Sequence, residues 1–69
     1  MTIDPNTEPL EIIKMALERE KEAYAFYKEA AEAAQHPAAK ATLLEMAAEE
    51  KQHIRQLEEV LDKHFYQDN

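Results

Sequence analysis

Residues 33–40 read AAQHPAAK, and the fold turns on this one interruption. On both sides the chain is rich in Ala, Glu, Lys, Leu and Gln, all good helix formers. The residue before a proline is pushed out of the α region, so His36-Pro37 must end one helix. Proline is tolerated in a first helical turn, so Pro37 also opens the next one. Further upstream, Thr7 is placed to cap a first helix and Pro9 fits its first turn. Glu8 and Glu11 suit the positive end of that helix's dipole. The pattern predicts a first helix over about 8–35 and a second over about 37–65, each roughly 28 residues and 42 Å long at 1.5 Å per residue. A break of two or three residues between long helices makes an antiparallel hairpin. Residues 1–6 are expected to form a disordered arm and residues 66–69 to fray.

Composition narrows the class. The chain has 69 residues with no Gly, Cys or Trp, and its three prolines lie near the start or at the single break. One all-α domain over 1–69 follows. A chain this short buries only about 60% of the surface it exposes unfolded, so a lone hairpin would be marginal. No disulfide can staple it, and nothing in the cysteine count points to an oxidising compartment. The net charge of −7 excludes nucleic acid as a natural partner, because phosphate binding needs a basic face. That charge suits cations, or solubility alone. Charges interrupt every apolar run, so no membrane span is expected. Met1 to Pro9 is too polar for a signal peptide. The expected location is the cytoplasm.

The apolar stripes carry more information. The first helix presents Leu10, Ile13, Leu17, Glu20, Tyr24, Tyr27, Ala31 and Ala34 at alternating steps of three and four. The second presents Leu43, Ala47, Glu50, Ile54, Leu57 and Leu61, widened on one side by Met46, His53 and Val60. Two helices cannot cover faces that broad. Two hairpins forming a four-helix bundle can, and a two-fold homodimer is the simplest version, with a larger homo-oligomer also open.

Each seam is broken by one ionisable residue, Glu20 in the first and Glu50 in the second. His53 follows Glu50 by three residues and shares its face. Glu20 lies fifteen residues before Gln35, and Glu50 thirteen after Pro37. In an antiparallel hairpin these residues should meet at one level. A dimer doubles them to four carboxylates and two imidazoles. Burying one carboxylate costs several kcal/mol even after relaxation, and no Lys or Arg on the seam is available to pair with them. Two divalent cations would neutralise the four charges. Glu from some helices and Glu-x-x-His from the others is the ligand pattern of carboxylate-bridged di-metal bundles. Carboxylate and imidazole donors suit Fe or Mn.

Taken singly, these residues have plainer readings. A seam Glu can set register, and a helix His is commonly a half-exposed polar residue. Tyr24 and Tyr27 are core filler, or one of their hydroxyls orients a ligand carboxylate. Met15 and Met46 read as core, and His36 and His64 as surface. The signal is the coincidence of Glu20, Glu50 and His53 at one height.

Glu20-Lys-Glu-Ala-Tyr-Ala-Phe-Tyr27 followed by Glu49-Glu50-Lys-Gln-His53 resembles the ferritin-like superfamily, in its rubrerythrin branch. The resemblance spans about residues 9–61. Among that branch the chain looks like the encapsulated ferritins, short two-helix proteins whose di-iron site forms only between subunits. The thirty residues from Glu20 to Glu50 and the Glu8-Pro-Leu-Glu11 opening are also similar. The resemblance implies Glu20, Glu50 and His53 as iron ligands and Tyr27 as the residue that orients a ligand carboxylate. It implies a di-iron cofactor, with manganese as an alternative, and an encapsulin shell as a possible partner and nanocompartment. The activity implied is ferroxidase, oxidising Fe(II) to Fe(III) for storage or detoxification. A rubrerythrin-like peroxide reductase served by a separate electron donor is the alternative in metal chemistry. A non-catalytic helical dimerisation module is the alternative outside it. The sequence departs from the pattern at Arg19, where those proteins tend to carry an acidic residue of an ion entry site, although Glu22 stays acidic. It also has no Cys-x-x-Cys rubredoxin segment, so these 69 residues hold no complete rubrerythrin peroxidase. No shell-targeting peptide is evident after the second helix.

Overall fold

The computed structural model describes residues 3–66. Helix α1 is Pro9–Ala33 and helix α2 is Pro37–Leu61, each of 25 residues. They pack against each other as an antiparallel hairpin. A π-helical turn, Asp62–Tyr66, continues from α2.

The break falls where the proline dictates. His36 is extended at φ −84°, ψ 122°, and so is Ala34 at φ −71°, ψ 130°. The Ala34 N–H donates to the Ala30 carbonyl at 2.9 Å and closes α1. That is two residues short of the expected Gln35. The reason is reach: three extended residues span about 10 Å, close to the spacing of packed helix axes, about 8–10 Å.

The N-terminus also differs from expectation. Thr7 does not cap α1. The capping position belongs to Glu8, which makes no side-chain cap bond. Residues 4–7 form a turn instead of a disordered arm. The Asn6 N–H donates to Asp4 Oδ1 at 2.8 Å and the Thr7 N–H to the Asp4 carbonyl at 2.9 Å. Asp4-Pro5-Asn6 is strong turn chemistry, and it takes the Thr7 backbone with it. At the other end, α2 stops at Leu61, four residues before the expected Phe65. No glycine is present to terminate the helix, and a wider turn takes over beyond it. The expectations for Met1, Thr2 and Gln67 to Asn69 lie outside the described residues.

Among the described residues, Ala31, Ala47 and Leu61 are the buried apolar ones, at 1%, 2% and 5% exposure. The other seam positions on both helices are half-buried. Such sparse burial follows from shape. The hairpin measures 49 × 30 × 12 Å, and its least dimension is the width of one helix, about 10–12 Å. Its radius of gyration is 15.2 Å, against about 11 Å for a compact domain of this length. It is a single layer, and stable domains normally have at least two.

One broad side of that layer is apolar in a regular way. Ala16, Ala23 and Ala30 recur every seven residues on α1, as do Met46, His53 and Val60 on α2. Ala16, His53 and Val60 line one groove, so both rows share this side. The polar pairs Glu11–Lys14 at 3.7 Å, Arg19–Glu22 at 3.5 Å and Glu59–Lys63 at 3.0 Å are exposed. Such pairs contribute little to stability. Among the described residues no helix is long and apolar enough to cross a membrane.

Candidate metal centre

Glu20 reaches inward from the middle of α1, and Glu50 from the middle of α2. One turn beyond Glu50, His53 brings its ring back over both carboxylates. His53 Nδ1 stands 3.5 Å from Glu20 Oε2 and 3.6 Å from Glu50 Oε2. One donor atom from each of the three residues falls within 4.8 Å of the others. The level at which they meet is the one obtained by counting residues away from Pro37.

Exposure is graded across the cluster. The Glu50 side chain is 18% exposed, that of Glu20 30%, and that of His53 48%. Glu50 is therefore the anchor, and His53 faces outward. Glu50 Oε2 is buried and has no hydrogen-bond partner. A buried polar atom left unpaired costs about 1–3 kcal/mol, more when it is charged. His53 can offset one carboxylate, and only while it is protonated. Two acidic oxygens and an imidazole nitrogen at this spacing are hard and borderline donors. They fit a divalent cation such as Fe(II) or Mn(II), and the orphaned Glu50 oxygen is the atom such an ion would satisfy. Three donors from one hairpin leave an octahedral ion incomplete.

The cluster opens onto a groove of about 460 Å³ lined by Ala16, Glu20, His53, Gln56, Leu57 and Val60. Gln56 and Ala16 were not singled out by the sequence reading. Gln56 follows His53 by three residues on the same face, and that spacing was the available signal. Tyr27 lies seven residues from Glu20, about 10 Å along the helix. It is half-buried, and its ring meets Phe26 edge-on at 5.5 Å. Among the described residues its hydroxyl forms no hydrogen bond to the cluster. Arg19, at the position where an acidic residue was sought, pairs with Glu22.

A family model described as rubrerythrin matches residues 11–69, most of the chain and all three cluster residues. The chain belongs to the rubrerythrin family. This rubrerythrin domain is an all-α two-helix hairpin with one carboxylate and histidine cluster at its centre. No curated protein and no solved structure gave a match.

Proposed function

We propose that this rubrerythrin-family hairpin is a ferroxidase of the encapsulated-ferritin kind, working as a homodimer or larger homo-oligomer. The observation that carries the reading is the Glu20, Glu50 and His53 cluster, whose buried Glu50 oxygen has no hydrogen bond among the described residues. Fe(II) is the substrate: two Fe(II) become two Fe(III), and the two electrons pass to O2 or peroxide. Glu20 and Glu50 supply the negative charge that draws the ions in and that balances the higher charge of the product. His53 supplies a neutral nitrogen through Nδ1. Tyr27, on the same seam, orients a carboxylate of the assembled site. An encapsulin shell would give the oxidised iron a volume to fill, which an open bundle lacks.

Three features support a second copy. The three donors leave a metal's coordination incomplete. The two rows of seven-residue spacing, apolar but for His53, meet at one open groove. The chain exposes 5542 Å², whereas a compact protein of 8.0 kDa exposes about 4,450 Å². The excess of about 1,100 Å² is more than the roughly 800 Å² each partner gives to a standard interface.

Aerobic Fe(II) oxidation, followed by the rise in Fe(III) absorbance, tests the ligand set. Glu20→Ala, Glu50→Ala and His53→Ala should each lower the rate at least tenfold while helix content by circular dichroism stays unchanged. Oxidation by all three at the wild-type rate would remove the proposal. The family match gives weight to a second reaction at the same site, peroxide reduction. These 69 residues hold no cysteine, so the electrons would be supplied from outside them. Peroxide consumption that requires an added reductant and outpaces Fe(II) oxidation would favour that reading.

A further inference from the structure

The hairpin tip is held by a histidine used as a helix cap. The α2 N-terminus has no acidic residue in its first turn. Its first free amides, those of Ala38 and Ala39, both donate to His36 Nδ1, at 3.2 and 3.4 Å. The His36 carbonyl accepts from the Lys40 N–H at 2.9 Å and starts the α-helical ladder. A capping position normally carries Ser, Thr, Asp or Asn, whose oxygens accept at any physiological pH. An imidazole nitrogen accepts only through a free lone pair, so this cap needs the neutral ring with its proton on Nε2.

We propose that His36 is a proton-sensitive clasp for the tip of the hairpin. Protonation of Nδ1 turns the acceptor into a donor, and the amides of Ala38 and Ala39 lose their partner together. The ring then carries a positive charge at the positive end of the α2 dipole, where cations are unfavourable. His36 is exposed, so protons reach it directly. The charged side chains nearest in the chain are Glu32 on the last turn of α1 and Lys40 on the first turn of α2. Neither forms an ion pair with His36 among the described residues. Lys40 adds a like charge to the same turn, and α1 has no basic residue in its last turn to shift the balance. Acidification therefore frays the start of α2 and loosens the break that sets the register of the two helices. The clasp does not rest on the metal-site reading, since His36 lies fourteen residues from Glu50 and seventeen from His53.

The test compares full-length wild type with His36→Asn, a cap that does not titrate. Across an acid titration of the wild type, the Ala38 and Ala39 amide resonances should move together with the His36 ring resonances. Over the same range the wild-type melting temperature should fall by a few degrees more than that of His36→Asn. His53 and His64 are common to both proteins and cancel in that difference. His36→Ser serves as a second non-titrating cap and should behave like His36→Asn. Stationary Ala38 and Ala39 resonances, or identical melting profiles for wild type and both variants, would overturn the clasp.

Discussion

Glu50 shows what the site costs the fold. Its Oε2 is buried without a hydrogen bond among the described residues, one helical turn from Ala47, itself only 2% exposed. An apolar side chain of similar volume would fill that space without the desolvation penalty. Glu50→Leu is therefore expected to stabilise the metal-free protein by about 1–3 kcal/mol. For a domain of this size each kcal/mol is worth about 4–8 °C in melting temperature. The same variant should lose the stabilisation that Mn(II) or Fe(II) gives the wild type. Thermal melts with and without Mn(II) measure both effects. A metal-free Glu50→Leu protein that melts below wild type would mean that Glu50 has a structural partner, and the desolvation cost assigned to it would be withdrawn. His36 makes a related point at the other end of α2. A residue read as mere surface carries the cap, because capping rules are built on oxygen acceptors and give imidazole no weight.

Among the elements, the two helices were legible because each seam alternates steps of three and four without a gap. Every seam residue so identified is buried or half-buried. The meeting of Glu20 with Glu50 and His53 was legible for the same reason, since Pro37 fixes a common origin for counting. Boundaries were less so. Thr7 satisfied the capping rule but lost to the Asp4-Pro5-Asn6 turn, a competition that single-residue rules do not register. The row of Ala16, Ala23 and Ala30 went unseen because alanine is as common on solvent faces as in tight contacts. The two most buried alanines, Ala31 and Ala47, sit where α1 and α2 come together. Ala47→Leu should force them apart and cost about 1–3 kcal/mol by overpacking. Glu50 is three residues further on, so the separation of Glu20 from His53 should widen as well. Calorimetric titration with Mn(II) should then show weaker binding alongside the lower melting temperature. Full metal affinity in a protein that melts several degrees lower would uncouple helix spacing from the cluster.

For the whole molecule, the unanswered physical demand is a second layer. A slab 12 Å thick cannot hide the side that carries the Glu20, Glu50 and His53 cluster, and a cluster with three donors cannot by itself saturate an iron ion. Both demands are met if the same side of two chains faces inward, so assembly and metal binding become one equilibrium. Binding that is stronger to the dimer than to the monomer must, by linkage, favour the dimer. Ala30 separates the two. It lies on the apolar row by spacing, ten residues from Glu20 and about 15 Å along the helix, outside the Glu20, Glu50 and His53 cluster. Ala30→Glu places a charge in the proposed interface and leaves Glu20, Glu50 and His53 intact. Sedimentation velocity with Mn(II) should show wild type as a dimer or larger species and Ala30→Glu as a monomer of unchanged helicity. Fe(II) oxidation by the variant should fall at least tenfold, with protein concentration restoring part of it by mass action. A monomeric Ala30→Glu protein that oxidises Fe(II) at the wild-type rate would place the whole reaction within one hairpin. The apolar side would then need a different occupant.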